Sequence, residues 1–366
     1  GKTLKAIGLV LCKGVNRLYV KKSQQVTKFY LNITFGGYRK KSSLCILETY
    51  HKGEKMKKLF PILLAMALFA SACQAGGAQA EPTALSLPTA FPTNTPSVNA
   101  PVEVSGGNEA GSERVSSVDG MPQVYVPDGT FRMGALDPDP QGDEQPDHSV
   151  TMKGFWMDKL EVTNAMFMLC VQAGACEPPQ SFNSDTRDSY FNVAEFNDYP
   201  VIYVTWAQAD TYCKWAGRRL PTEAEWERSA RGDDFRTYPW GDDRPDSSRG
   251  NFNYFVGDTT RVGNFPAGAS PFGVLDMAGN VAEWTNDYYD SNYYAQGVSM
   301  NPPGPGSRSQ YFNRVVRGGT YQDAFIEVRL ANRASVRGSN LDASDINSED
   351  YLGEVSPKIG FRCSSD

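Results

Sequence analysis

The sequence predicts an α+β domain with short strands, few helices and much irregular structure. Two apolar runs, 124–126 and 130–134, lie on either side of the turn sequence Pro127-Asp128-Gly129 and are expected to form short strands. Long polar or glycine-rich stretches without periodicity lie between the predicted elements. Three helix starts are indicated by threonines that can cap a helix, at Thr163, Thr205 and Thr222.

The predicted helices have recognisable starts and ends. Thr205 and Thr222 each precede a Gln or Glu by three positions, which forms a capping box. Thr163 begins a helix predicted over 164–173, and Gly217 ends the helix that follows Thr205. These segments supply the helical part of the predicted fold.

The stretch 273–287, GVLDMAGNVAEWTND, fits neither an amphipathic helix nor an alternating strand. Its two glycines permit backbone conformations that other residues avoid. Its oxygen donors suit Ca²⁺ better than zinc or copper. A polar surface loop anchored by Trp284 explains the same residues, and this stretch alone leaves both interpretations open. The donors are the side chains of Asp276 and Glu283 and the carbonyls of Gly279 and Val281.

Charge is divided unevenly along the chain, whose overall formal charge is −6. Residues 1–72 contain 14 Lys and Arg but only 2 Asp and Glu, whereas the chain from Cys73 onward contains 22 basic and 40 acidic residues. The latter part therefore has a net charge near −18, which repels nucleic acid and anionic lipid. We expect no nucleic-acid partner.

Residues 1–55 are basic and lack a clear period, and the sequence begins with Gly1. Codons for Lys52-Gly53-Glu54 can spell a ribosome-binding sequence just before Met56. We therefore predict that translation starts at Met56 and that 1–55 is untranslated or disordered. A genuine basic extension is the alternative.

Residues 56–72 have the organisation of a bacterial lipoprotein signal peptide. Two lysines precede the apolar run 59–69, which is too short to span a bilayer as a mature anchor. Ala70-Ser71-Ala72-Cys73 resembles a lipobox, with Ala70 where leucine is usual. This predicts lipidation of Cys73, a membrane partner through that lipid, and location at the bacterial cell surface or in the periplasm. Ordinary cleavage and secretion is the alternative.

Residues 73–120 are predicted to be a linker, because they are rich in Pro, Thr, Ser and Gly and poor in apolar residues. A single domain is predicted over 121–366. All six tryptophans lie beyond residue 150, so the core is expected there.

Four motifs occur in the order found in one known family: RLPTEAEWE at 219–227, the stretch 273–287, RGGTY at 317–321 and GFRC at 360–363. The chain resembles the formylglycine-generating enzyme, or sulfatase-modifying factor, family over roughly residues 121–366. The resemblance implies a fold related to C-type lectins.

The resemblance also implies two structural calcium sites. It places one Ca²⁺ at the donors already named in the stretch 273–287. It places the other at the Asn251 side chain, the Phe252 carbonyl, the Asp258 side chain and the Thr260 carbonyl.

Four cysteines lie within the predicted domain. Cys170 and Cys176 are close in sequence and predict a local disulfide in an exported protein, with a metal pair as the alternative. The resemblance implies a second disulfide between Cys213 and Cys363.

The enzymes of this family bind copper through two close cysteines soon after the RGGSY motif. Here Asp323 occupies the first of these positions, and the segment is shortened where the second would fall. Soft Cu(I) requires sulfur ligands. His148 is the only histidine beyond the signal, which excludes a three-histidine iron site. We therefore predict no catalytic residues and no bound copper or iron.

Three functions remain open. The first is a non-catalytic surface lipoprotein that binds a protein or glycan through the C-terminal loops 325–358 and 288–294. The second is a metal-dependent oxidase or protein-modifying enzyme with altered chemistry. The third is a structural partner of an envelope complex, which the sequence does not distinguish from the first.

Overall fold

The computed structural model describes three strands within residues 15–44 and, beyond them, residues 108–135, 140–306, 312–340 and 353–366. The predicted signal segment 56–72, the lipidation residue Cys73 and most of the predicted linker lie outside the described residues. Among the helices of this described part, none combines the length and the apolar composition needed to cross a membrane.

The chain divides into two compact units, 1–95 and 96–366. In the first unit, β1 (Val15–Lys22), β2 (Thr27–Phe35) and β3 (Tyr38–Leu44) form an antiparallel sheet in that order. Strands therefore occur where the sequence predicts untranslated or disordered chain, because β2 is rich in aromatic and β-branched residues that favour strands. The start of translation at Met56 stays a prediction.

The second unit contains ten short strands among its described residues. They are β4 (Glu113–Val115), β5 (Pro122–Val126), β6 (Gly129–Met133), β7 (His148–Met152), β8 (Phe155–Asp158), β9 (Ala282–Tyr288), β10 (Asn313–Arg317), β11 (Ala334–Arg337), β12 (Ile359–Gly360) and β13 (Ser364–Ser365). One sheet has the order β11-β10-β9-β12, another has the order β13-β8-β5-β4, and β6 pairs with β7. The strands predicted at 124–126 and 130–134 are confirmed as β5 and β6, which belong to different sheets.

The folded domain begins upstream of Met121, its predicted first residue. β4 pairs with β5, and Arg114 Nε donates to Gln123 Oε1 at 2.9 Å. The Arg114 guanidinium also lies 4.2 Å from the centre of the Trp156 ring. Because this segment is held by polar and cation–π contacts, its low apolar content gave no indication that it belongs to the fold.

Three helices carry the predicted caps: α1 (Asn164–Gln172), α2 (Trp206–Trp215) and α3 (Glu223–Arg231). Thr163 accepts a hydrogen bond from the Met166 amide, and both predicted capping boxes are complete. α1 ends one residue before its predicted end, because Ala173 forms its C-cap. The helix assignments are thus confirmed, within one residue at this end.

Helix α3 lies at the centre of the domain, with every one of its residues buried. Arg317 bonds to Glu223 at 2.6 Å and to Glu227 at 2.7 Å, while Arg333 and Arg231 give these two carboxylates further partners. Although burial opposes ionisation, Arg333 and Arg317 lower the pKa of Glu223 to about 2. The charged residues of the RLPTEAEWE motif are therefore part of the scaffold.

Both predicted disulfides are formed. Cys170 and Cys176 close the end of α1, and Cys213 of α2 is bonded to Cys363, which lies between β12 and β13. The second bridge is part of an apolar cluster that includes Trp284 of β9. It therefore joins a helix, the C-terminal strands and the core.

Candidate functional site

The two predicted calcium loops lie against each other. The Asn280 amide donates to the Asn251 carbonyl at 2.7 Å. Gly279 has a φ of +89°, and a Cβ at this position would lie 2.2 Å from the same carbonyl oxygen, so only glycine permits this approach. Asp276 and Asn280 also have positive φ, both 58°. Such strained conformations persist where the surrounding structure enforces them, often at functional sites.

Glu283 is fully buried and already has three side-chain donors. Arg362 donates from Nε to Oε2 and from Nη2 to Oε1, both at 2.7 Å. The indole of Trp226 donates to Oε2 at 2.7 Å. These bonds fix the carboxylate while leaving Oε1 with a single side-chain donor.

Glu161 is a member of this site that the sequence did not reveal. It is fully buried, and it accepts hydrogen bonds from Asn280 Nδ2 at 2.6 Å and from the Val281 amide at 3.2 Å. Burial, followed by the charges of Asp276 and Glu283, raises its pKa well above the usual value. Burial likewise raises the pKa of Asp276. The one available signal was an acidic residue two positions before Thr163, the N-cap of α1.

The residues of the 276–283 loop fit a bound Ca²⁺. Three buried carboxylates, those of Glu161, Asp276 and Glu283, interact with one buried guanidinium, that of Arg362. A divalent cation would offset the remaining negative charge, and oxygen is the donor that Ca²⁺ prefers. Among the described residues, no three or more His, Cys, Asp or Glu side chains are grouped to hold a metal. The predicted ligand set differs from such a group because half of it consists of main-chain carbonyls.

The second predicted set fits Ca²⁺ less completely. Asp258 Oδ2 accepts from Ser184 Oγ at 2.6 Å and from Thr186 Oγ1 at 2.6 Å, and Oδ1 accepts from the Thr259 amide. Its carboxylate is thus engaged by protein donors. In contrast, Asn251 Oδ1 is buried and has no hydrogen-bond partner in the described part of the chain. This oxygen is available for a cation.

The remaining members of that set are also buried. The Phe252 carbonyl accepts from the Phe255 amide at 3.0 Å, and the Thr260 amide donates to Asn280 Oδ1 at 2.9 Å. Asn280 also donates to Glu161, which accepts from the Val281 amide, so Asn280 connects the two predicted ligand loops in one network.

Asp323, which the resemblance places at the first active cysteine of related enzymes, stabilises a turn. Its carboxylate accepts from the Thr320 amide at 2.8 Å. Glu327, four residues later, accepts in the same way from the Ala324 amide at 3.0 Å. The two acids are bonded to separate amides, which is a structural arrangement and not that of a general acid–base pair.

No cysteine or histidine of the domain is placed for redox-metal binding. All four cysteines of residues 108–366 are joined in the two disulfides. The His148 ring lies 4.9 Å from the Tyr294 ring, and its Nδ1 is 3.1 Å from the Pro146 carbonyl oxygen. His148 is therefore engaged in packing against Tyr294.

The paired tyrosines after β9 pack within the fold. Tyr293 and Tyr294 are buried, and the Tyr289 hydroxyl donates to Asp143 at 2.7 Å. The Arg314 guanidinium lies 3.6 Å from the Tyr288 ring centre. These tyrosine side chains are therefore engaged in packing within the fold.

Residues 108–366 match the family described as the sulfatase-modifying factor enzyme 1-like domain. The chain belongs to this family. It is 30% identical over 295 residues to the formylglycine-generating enzyme of Streptomyces coelicolor, covering 67% of this chain and 89% of that protein. It is 34% identical over 254 residues to the serine/threonine-protein kinase Pkn1 of Chlamydia trachomatis, covering 66% of this chain. The chain spans only 38% of the length of that kinase.

Solved structures show that the sulfatase-modifying factor domain has the expected fold. The PvdO protein of Pseudomonas aeruginosa superposes with a TM-score of 0.57 and 23% identity, over 70% of this chain and 99% of that one. Treponema denticola variable protein 1 superposes with a TM-score of 0.54 and 19% identity, over 69% and 98% of the two chains. The predicted mixed fold of short strands and few helices is confirmed.

Proposed function

We propose that this protein is an exported, lipid-anchored member of the sulfatase-modifying factor family that binds a partner and lacks the oxidase reaction. One observation supports the proposal: Asp323, which the resemblance places at the first active cysteine, accepts a hydrogen bond from the Thr320 amide and so caps a turn. A copper-dependent oxidase needs thiolate ligands, because Cu(I) prefers sulfur. The four cysteines of the domain are bonded to one another.

Calcium has a structural role in this proposal. Asp276, Glu283 and the carbonyls of Gly279 and Val281 would hold one ion, with Glu161 contributing its charge nearby. The buried Asn251 oxygen supports a second ion at the neighbouring loop. Bound Ca²⁺ supplies charge compensation to loops that contain little regular structure. We assign it no step in catalysis.

The predicted signal segment and the predicted lipidation of Cys73 support location at the bacterial cell surface or in the periplasm. Each buried methylene of an acyl chain contributes about 0.8 kcal/mol to membrane binding, so several chains anchor a protein firmly. Replacement of Cys73 by Ser is expected to move the protein from the membrane fraction to the soluble fraction. An unlipidated Cys73 peptide from the wild-type protein in mass spectrometry would contradict the proposal.

The central test is metal analysis of the purified protein before and after chelation, together with its melting temperature. We expect calcium, and a melting temperature that falls when calcium is removed. Glu161→Gln should reduce this calcium-dependent shift, whereas the exposed Asp233→Asn should not. Absence of bound calcium and of any shift would refute the structural role of calcium.

The similarity to formylglycine-generating enzymes favours a second candidate function, a metal-dependent oxidase or protein-modifying enzyme with an altered active site. The aligned region covers 89% of the Streptomyces enzyme. Near-stoichiometric copper or iron, with oxygen consumption in the presence of a cysteine-containing peptide, would establish this function and exclude the first.

A further inference from the structure

A ridge of apolar side chains projects from the domain beside the 320–327 turn. Exposed fractions are 62% for Tyr254, 40% for Phe255, 55% for Val256 and 50% for Ile326. With the half-buried Phe325, these five residues form what we call the aromatic ridge. Contiguous exposed apolar surface of this kind marks interaction sites in soluble proteins.

The backbone holds the ridge outward at an energetic cost. The Asn253 and Tyr254 amides donate to the Asp323 and Tyr321 carbonyls at 2.8 and 2.9 Å, so two distant segments form one surface. Asn253 and Tyr254 have φ values of 50° and 58°, in the left-handed region that a bulky residue such as tyrosine rarely adopts. This strain accompanies the display of a tyrosine ring and not its burial.

The ridge stands on a rigid aromatic base. The Phe325 ring centre lies 5.8 Å from that of Phe252 and 6.2 Å from that of Phe255. Phe252 stacks in turn on Trp240, with their ring centres 6.1 Å apart. A partner would therefore meet a preformed surface, which lowers the entropy lost on binding.

Acidic groups border the ridge. Asp185 is exposed and accepts hydrogen bonds from two neutral donors, Tyr321 Oη at 2.6 Å and Gln322 Nε2 at 2.7 Å. Glu327, beside Ile326, is also exposed. Within the described part of the chain, neither carboxylate forms an ion pair with Lys or Arg.

We infer that the aromatic ridge binds a segment of a partner protein in which apolar side chains are combined with Lys or Arg. This inference rests on the proposed binding function and names its surface. A second copy of this chain is disfavoured, because both copies carry a net charge near −18 from Cys73 onward. An anionic membrane is disfavoured for the same reason.

Three matched fluorescein-labelled peptides test the inference by fluorescence anisotropy with the full chain. One alternates lysine with leucine, one alternates glutamate with leucine, and one alternates lysine with serine. Only the lysine–leucine peptide should bind. Tyr254→Ser and Ile326→Ser should each weaken its binding by about tenfold, since each removes apolar contact area.

Two further changes separate the apolar contribution from the charge contribution. Asp185→Asn with Glu327→Gln should weaken binding and reduce its dependence on salt. Met300→Ser, which removes a 63% exposed apolar side chain beside β7, should leave binding unchanged. Thermal unfolding checks that every variant is folded.

Absence of binding by the lysine–leucine peptide would overturn the inference, as would equal loss of binding in Met300→Ser. Equal binding of the glutamate–leucine peptide would overturn the assignment of a basic partner. None of these results would contradict the proposed function. That function is contradicted instead if the protein holds a redox metal and consumes oxygen.

Discussion

Replacement of Arg362 by Met should destabilise the domain severely. Its guanidinium is fully buried and makes two 2.7 Å bonds to Glu283. It also donates to the carbonyls of Asp158 and Leu275 at 3.0 and 2.9 Å. Methionine fills similar volume but leaves Glu283 charged and unpaired. Breaking a buried pair in this way costs about 3–5 kcal/mol.

For a domain of this size, that loss corresponds to a fall in melting temperature of roughly 6–20 °C. The matched control is Arg261→Met, because Arg261 and Asp198 form an ion pair whose side chains are 57% and 60% exposed. Such surface pairs contribute about 0–1 kcal/mol. The two variants should therefore differ by several kcal/mol in free energy of unfolding.

Urea unfolding followed by tryptophan fluorescence measures both variants, with calcium and with a chelator. Calcium should restore part of the stability lost in Arg362→Met, since a divalent cation can compensate the buried carboxylates that lose their guanidinium. Equal stability of the two variants would show that Arg362 does not neutralise the site. If Arg362→Met loses the same free energy of unfolding with calcium and with chelator, then Arg362 does not act together with the calcium loop.

Three further outcomes are expected. Burial, and then the charge of Glu223, raise the pKa of Asp287 to about 8. The stability that protonated Asp287 contributes is therefore present at low pH and is lost as pH rises through about 8. Asp287→Asn should flatten this part of the dependence of unfolding free energy on pH, and an unchanged dependence would contradict the assignment. Cys213→Ser with Cys363→Ser should lower the free energy of unfolding by up to about 5 kcal/mol, measured against wild type in denaturant without reductant. Thr222→Ala should cost about 1 kcal/mol through loss of a helix cap, which thermal unfolding would detect.

The sequence predicted what depends on neighbouring residues. The caps at Thr163, Thr205 and Thr222 act within three positions, so short patterns were sufficient to place all three helices. The Cys213–Cys363 bridge spans 150 positions and was predicted only because the motifs resemble a known family. Local pattern and family resemblance were thus both needed.

What the sequence did not reveal depends on distant contacts. Glu161 accepts a hydrogen bond from the Val281 amide, which lies 120 positions away in the sequence, and no residue near either one indicates this contact. The predicted start of the domain, Met121, lies too late in the sequence. The segment before it is held in the fold by contacts of Arg114 with Gln123 and Trp156. The acidic groups beside the aromatic ridge could also be identified only from the structure, because Asp185 accepts a hydrogen bond from Tyr321, 136 positions away in the sequence.

The segment 359–365 adds β12 in parallel to β9 of one sheet and β13 antiparallel to β8 of the other. It also carries Arg362 and Cys363, so both layers of the domain are completed by residues that leave the ribosome after the rest of the domain. Contacts of such long sequence separation form slowly and late in folding. Closure of the two sheets is therefore expected to be a late step in the folding of this domain.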